Sequence, residues 1–259
     1  MYQPTIDATA LTLLAPSKPV GGSHVVVLAH AKPGSQRMGA LLTGQPSLAC
    51  TAGTGVLQLC EQAATTWRGA QRTGSSLSML AASSVRALTG SLISVIKSQE
   101  GRQRWCELST ASARSARTFL ELYPQTKIIC LHRNCADVVH ASAPGDPMAG
   151  VASHWQERTE SLLALERDHA ARCLRVRYED LVASPATAAG ILSFLGLDRR
   201  PDLDRPDLDW PGPAESGPEV RHQDAALLAE RIGSPLLERI NRLHAELHYP
   251  SIGRAPARY

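Results

Sequence analysis

The chain lacks long apolar runs, paired-cysteine motifs and a strong excess of either charge. No run approaches the ~20 apolar residues that a membrane-spanning helix needs. The first residues carry no charged stretch leading into an apolar one, so no secretory leader is expected. The six cysteines, Cys50, Cys60, Cys106, Cys130, Cys135 and Cys173, form no C-x-x-C pair and no Cys/His spacing of the zinc type. Reduced thiols in a cytoplasmic protein are the expectation, with Cys130 a buried thiol inside an apolar run. Aromatic residues make up 4% of the chain, and no basic stripe is interleaved with them, which argues against a nucleic-acid partner. The net charge of +3 leaves room for an anionic ligand. Two nucleotide fingerprints are also missing: the G-x-x-x-x-G-K-[ST] spacing of a Walker A loop and the G-x-G-x-x-G of a dinucleotide site.

What is present is a strand, a small-residue loop and a helix in immediate succession. Val25-Val26-Val27-Leu28 reads as a buried strand over about 24–29. Ala31-Lys32-Pro33-Gly34-Ser35-Gln36 follows as a loop, and Met38, Leu41 and Leu42 recur at helical spacing over 35–44. This is the geometry that cradles a phosphate, because the free N–H groups and the dipole of the helix start face the anion. Lys32 is placed to neutralise an oxygen, and Ser35 and Gln36 to donate to one. The alternative is an ordinary strand-to-helix turn carrying a stray lysine.

The 259 residues suit one α/β domain with a large core. Residues 1–23 read as an arm. A short extended piece is expected near 46–50, helices at 54–68 and 76–97, a short strand at 104–108 and a helix at 112–122. Tyr123-Pro124 stops that helix. A second strong signal follows, an apolar strand from Lys127 to Leu131, with Arg133 and Asn134 at its end and Asp137 opening a helix. A forked guanidinium at the carboxyl end of a strand suits a phosphate; the competing reading of Arg133 is an ion pair with Asp137. Residues 143–150 read as a loop and 151–170 as a helix with Trp155, Leu162, Leu163 and Leu165 on its apolar side. A third strand runs from Cys173 to Tyr178. Pro185 starts a helix that Gly196 closes. The Pro- and Asp-rich stretch 198–218 reads as a loop or lid, followed by helices at 222–231 and 234–247. Alternating strands and helices predict a central parallel sheet flanked by helices on both faces. Two strand ends with anion-directed residues predict a ligand with two separated anionic groups.

Three stretches, in order, resemble the sulfotransferase family that uses 3′-phosphoadenosine 5′-phosphosulfate (PAPS), a P-loop-NTPase-like fold. Ala31–Gln36 is similar to its 5′-phosphosulfate loop, P-[KR]-S-G-T-[TS]. Leu131-His132-Arg133-Asn134-Cys135-Ala136-Asp137-Val138-Val139 is similar to its 3′-phosphate segment, R-[DN]-P-x-D-V and a following Ser. Arg177-Tyr178-Glu179-Asp180-Leu181-Val182-Ala183-Ser184-Pro185, running on to Phe194-Leu195-Gly196-Leu197, resembles its Y-E-D-L…P…F-L-G-L signature.

The resemblance implies that Lys32, Gly34, Ser35, Gln36 and Arg37 surround the sulfate-bearing phosphate, with Lys32 stabilising the leaving group. Arg133 and Ser142 would bind the 3′-phosphate, and Tyr178 would reach the adenine. Glu179 and Asp180 would brace the turn. The family pattern is altered at Ala31, Pro33, Ser35, Gln36 and Cys135, and its Ser position is Ala141, one residue before Ser142. No G-x-x-G-x-x-K segment is present, so Arg221 and Arg231 are candidates to complete the 3′-phosphate site. Glu107 and His30 compete as general base, ahead of His132, His140 and His154. The implied reaction moves a sulfuryl group in line to a hydroxyl or amine of a small molecule, a secondary metabolite by the bacterial cast of the composition. It needs no metal and yields adenosine 3′,5′-bisphosphate. Two other readings stand beside it. One is a P-loop-like kinase, disfavoured by the missing Walker A spacing. The other is a non-catalytic binding protein on the same fold.

Overall fold

The computed structural model describes residues 23–30, 35–70, 76–142, 145–198 and 218–253. Five strands form one parallel sheet: β1 (Val25–Ala29), β2 (Leu48–Ala52), β3 (Arg104–Ser109), β4 (Lys127–His132) and β5 (Cys173–Arg177). Their order across the sheet is β2-β3-β1-β4-β5. The register pairs Val25 with Cys106 on one side and with Lys127 on the other. All five residues of β1 are buried, as a continuous β-branched run in the middle of a two-sided sheet requires.

Helices cover both faces. On one, α1 (Ser35–Thr43) and α8 (Pro185–Leu195) pack on Val25, Val27, Ile129 and Leu131; Met38, Leu41 and Leu42 are the contacts that the helical spacing predicts. On the other, α2 (Val56–Ala70), α3 (Ser76–Glu100) and α4 (Ala113–Leu122) close over Val26, Leu28, Ile128 and Cys130. There Trp105 and Phe119 are fully buried. A third cluster joins α5 (Cys135–His140) and α6 (Met148–Asp168) to α9 (Pro218–Arg231) and α10 (Ser234–Glu246). The short α7 (Tyr178–Ala183) links β5 to α8. Gly196 takes the left-handed conformation, φ 64°, that ends α8.

Several boundaries differ from the sequence expectation, each for a local reason. Asn134, not Asp137, opens α5: its side chain accepts from Ala136 N at 2.8 Å, so the helix begins at Cys135. The helix expected from residue 151 starts at Met148, because Pro147 at φ −68° already has the geometry of a helix entry. Tyr178 belongs to α7 rather than to the end of β5. Pro218, placed by the sequence in the loop or lid, opens α9. The arm up to Gly22, residues 31–34 of the first loop with Lys32 and Gly34, and the lid at 199–217 lie outside the described residues. Among the described residues no helix is long and apolar enough to cross a membrane.

Candidate active site

The carboxyl ends of β1, β3 and β4 lie side by side, and each carries polar groups. At the end of β4, Arg133 is buried, yet its Nε and Nη1 make no hydrogen bond. Asp137, one helical turn on, approaches Nε at 3.6 Å, an ion pair too long for a hydrogen bond. The guanidinium lies over the Tyr178 ring, 4.7 Å from its centroid. The competing ion-pair reading therefore holds in part: Asp137 balances charge but leaves the donors open. An arginine cannot shed its charge to escape burial, so two buried nitrogens with unmatched N–H groups suit an anion at this edge.

The segment around Arg133 is firmly held. Asn134 N donates to Glu179 Oε1 at 3.1 Å, and Tyr249 Oη donates to Glu179 Oε2 at 2.8 Å. Glu179 thus braces the turn as the motif implies. His244 is fully buried; its Nδ1 meets the Pro250 carbonyl at 2.7 Å, and its Nε2 accepts from Cys135 N at 3.4 Å. Burial holds this imidazole below its usual pKa, against the effect of the Pro250 carbonyl. Ser142 gives its hydroxyl proton to the Val139 carbonyl at 2.6 Å, so its remaining capacity is that of an acceptor. Arg231 is exposed at the end of α9, and the side chain of Arg221 lies outside the described residues.

At the end of β1, His30 is buried. Its Nε2 stands 3.3 Å from Thr159 Oγ1, and its ring stacks on Trp155 at 6.0 Å and 17°. Burial, then the charges of Arg158, His132 and His154, hold its pKa well below 6.5, so the ring is neutral at physiological pH. Lys32 and Gly34 are outside the described residues, as is the side chain of Ser35. Gln36 is exposed, and Arg37 reaches the Val182 carbonyl at 3.4 Å.

Glu107 occupies a different setting. Its Oε2 accepts from Thr51 Oγ1 at 2.6 Å and its Oε1 from Thr54 N at 2.8 Å. Thr51 in turn accepts from Trp105 Nε1 at 2.8 Å. The carboxylate ties the loop after β2 to the sheet, with both oxygens engaged.

One helix that sequence reasoning took for packing joins these edges. From α6, Trp155 Nε1 donates to the Arg133 carbonyl at 2.9 Å. Arg158 donates to the Ala29 carbonyl at 2.6 Å and to the Thr110 carbonyl at 2.9 Å. Thr159 meets His30, and Glu166 meets His132 Nε2 at 2.7 Å and Arg175 Nε at 2.6 Å. Burial works against the Glu166 carboxylate, but the hydrogen bonds and charges of His132 and Arg175 outweigh it and hold its pKa below the usual value. The signal for these residues was their spacing: 158, 159 and 166 fall on the helical face that 155 and 162 bury. His140 and His154 are exposed. Among the described residues no group of three or more His, Cys, Asp or Glu is placed to hold a metal ion.

Fold and site together define an α/β protein with a parallel sheet whose carboxyl edge carries a strand-loop-helix turn and a buried arginine. More particularly, the chain belongs to the sulfotransferase family, whose sequence profile matches residues 24–202. The structure is similar to the sulfotransferase domain of the Synechococcus PCC 7002 olefin synthase, with a TM-score of 0.60 and 19% identity over 91% of this chain and 98% of that one. It is also similar to the sulfotransferase domain from the curacin biosynthetic pathway, with a TM-score of 0.58 and 16% identity over 88% and 98%. A sulfotransferase from Alicyclobacillus acidocaldarius gives a TM-score of 0.51 and 13% identity over 89% and 98%. At these identities the likeness is one of fold. No match was found among curated protein sequences.

Proposed function

We propose that this protein transfers a sulfuryl group from PAPS to a hydroxyl of a small molecule. The observation that carries the reading is Arg133: a buried guanidinium against an aromatic ring, with two donors unmatched, at a strand end of a sulfotransferase-family sheet. These residues fit the donor's adenosine bisphosphate. Arg133 would hold the 3′-phosphate and Tyr178 the adenine, while the α1 start with Lys32, Gly34, Ser35 and Gln36 would take the 5′ side. The donor, when bound, supplies an activated sulfuryl group. The chain's own part is placement and charge stabilisation.

His30 is the preferred proton acceptor. It is neutral, it directly precedes the phosphosulfate loop, and Thr159 and Trp155 fix its ring. Glu107 has both oxygens committed and acts instead as a brace for the β2–α2 loop.

Calorimetric titration with adenosine 3′,5′-bisphosphate, with ATP and AMP as controls, tests the reading. Binding of the bisphosphate alone, weakened in Lys32→Ala and Arg133→Ala, is expected. No binding, or a preference for ATP, overturns it. His30→Gln should keep that affinity and lose PAPS turnover across a panel of small-molecule acceptors.

A further inference from the structure

The sheet carries two pairs of neighbouring thiols outside the site just described. They differ in one respect. Cys50 on β2 and Cys106 on β3 are direct partners in the parallel register. Both side chains lie on the face covered by α1 and α8. Partners across a sheet stand about 4.8 Å apart, inside the roughly 4.4–6.8 Å Cα separation that a disulfide bridges. In the second pair, Cys173 is opposite Ile128 while Cys130 is opposite Arg175. That offset of two residues puts the α-carbons about 8 Å apart, beyond what a disulfide spans without backbone movement.

Access does not separate the pairs, since Cys173 is likewise half-buried on an edge strand with Cys130 fully buried behind it; the register alone does. Cys50 is half-buried on an edge strand, whereas Cys106 is fully buried behind it. The Cys106 thiol hydrogen-bonds to Cys50, and this lowers the Cys50 pKa against the effect of burial, with Thr43 and Arg102 adding to the lowering. The same contact, together with burial, pushes Cys106 well up. A half-exposed sulfur backed by a second thiol on the facing strand is the arrangement of a reactive and a resolving cysteine.

We propose that Cys50 and Cys106 form a peroxide-oxidisable dithiol. The Cys50 sulfur attacks the O–O bond of a hydroperoxide. An S–OH group forms and water leaves, or an alcohol where the peroxide is organic. The Cys106 sulfur then attacks Cys50, the S–S bond forms, and water carries off the hydroxyl with the Cys106 proton. Two electrons pass from the two thiols to the peroxide. A link at this half-exposed edge is open to thiol exchange, as suits a reversible modification. It would act beside the Thr51–Glu107 brace, since Thr51 Oγ1 also donates to the Cys106 carbonyl at 3.2 Å. None of this depends on the identity of the sulfuryl donor.

Non-reducing peptide mapping of the full chain after hydrogen peroxide treatment tests the proposal. The expected product is one linked peptide pair containing Cys50 and Cys106, lighter by two hydrogens and released by dithiothreitol. In Cys106→Ala, oxidation of Cys50 should stop at the sulfenic acid, trapped by dimedone; Cys50→Ser should give no link. The proposal is overturned if both thiols stay fully alkylatable after peroxide treatment. It is equally overturned if the link joins other cysteines, or if Cys50 passes to sulfinic acid without linking. The mapping of the unaltered chain decides the matter even if a core variant fails to fold.

Discussion

Arg133 and Glu107 are both buried charges near the carboxyl edge of the same sheet, and they stand in opposite states. Glu107 has each oxygen matched by a donor, one from a threonine hydroxyl and one from a backbone N–H. Arg133 has a carboxylate 3.6 Å away and an aromatic face beneath it, but two nitrogens without a hydrogen bond. A satisfied buried charge holds structure together, whereas an unsatisfied one costs stability until a ligand arrives. His24 shows where that rule ends. Its Nδ1 is also buried and unmatched, within a cage of Trp105, Phe119 and Tyr123. But a histidine can give up its proton. Burial, with smaller effects of Lys97, Arg104 and Arg86, lowers its pKa to about 4, so it sits neutral and needs no anion.

The largest test of the contrast is Arg133→Ala. Losing two charge-assisted hydrogen bonds should weaken adenosine 3′,5′-bisphosphate binding roughly 100-fold or more by calorimetry. Retained affinity would show that the open donors are not a ligand site. His24 provides the second test. Its folded pKa lies below the unfolded one, so its contribution is complete above about pH 6.5 and is lost as pH falls toward 4. The loss should amount to about 3 kcal/mol. Urea unfolding at neutral pH and near pH 4 should show the decline, and His24→Phe should reduce it. Equal declines in the two proteins would mean that other groups carry the acid sensitivity. Third, Glu107→Ala should lower stability by about 2 kcal/mol by stranding the Thr54 N–H and taking one acceptor from Thr51, with bisphosphate affinity within about threefold of the original. A collapse of affinity with stability intact would reverse the roles assigned here. The smallest effect is expected from Trp155→Phe, which keeps an aromatic six-membered ring but removes the donor to the Arg133 carbonyl. It should cost about 1 kcal/mol, read as a few-fold weaker titration.

Most of the fold was legible because it is written in short-range pattern. Val25–Leu28 announces a buried strand, and Met38, Leu41 and Leu42 mark the face of the helix after it. The strand end that carries Arg133 was legible because its apolar run is local, although the helix after it starts at Cys135, two residues before the expected Asp137. The strand order was not legible: nothing near β2 says that it lies beyond β3 at the sheet edge. The same holds for Glu107. A carboxylate near a candidate site invites a catalytic role until Thr51, 56 residues away, is found bonded to it. Arg158, Thr159 and Glu166 were hidden for this reason too, since the contact of Thr159 with His30 spans 129 residues. A face of α6 that reads as core packing turns polar only where it crosses the strand ends.

That helix also works as a ruler. Trp155 is fixed to the β4 end, and Arg158 is fixed to the ends of β1 and β3, less than one helical turn later. A rise of about 1.5 Å per residue leaves this interval no slack. Inserting one residue between them would swing one anchor by roughly 100° about the axis, so the two could not both meet their strands. The distance between the β4 end and the ends of β1 and β3 is therefore a phase relation within one helix.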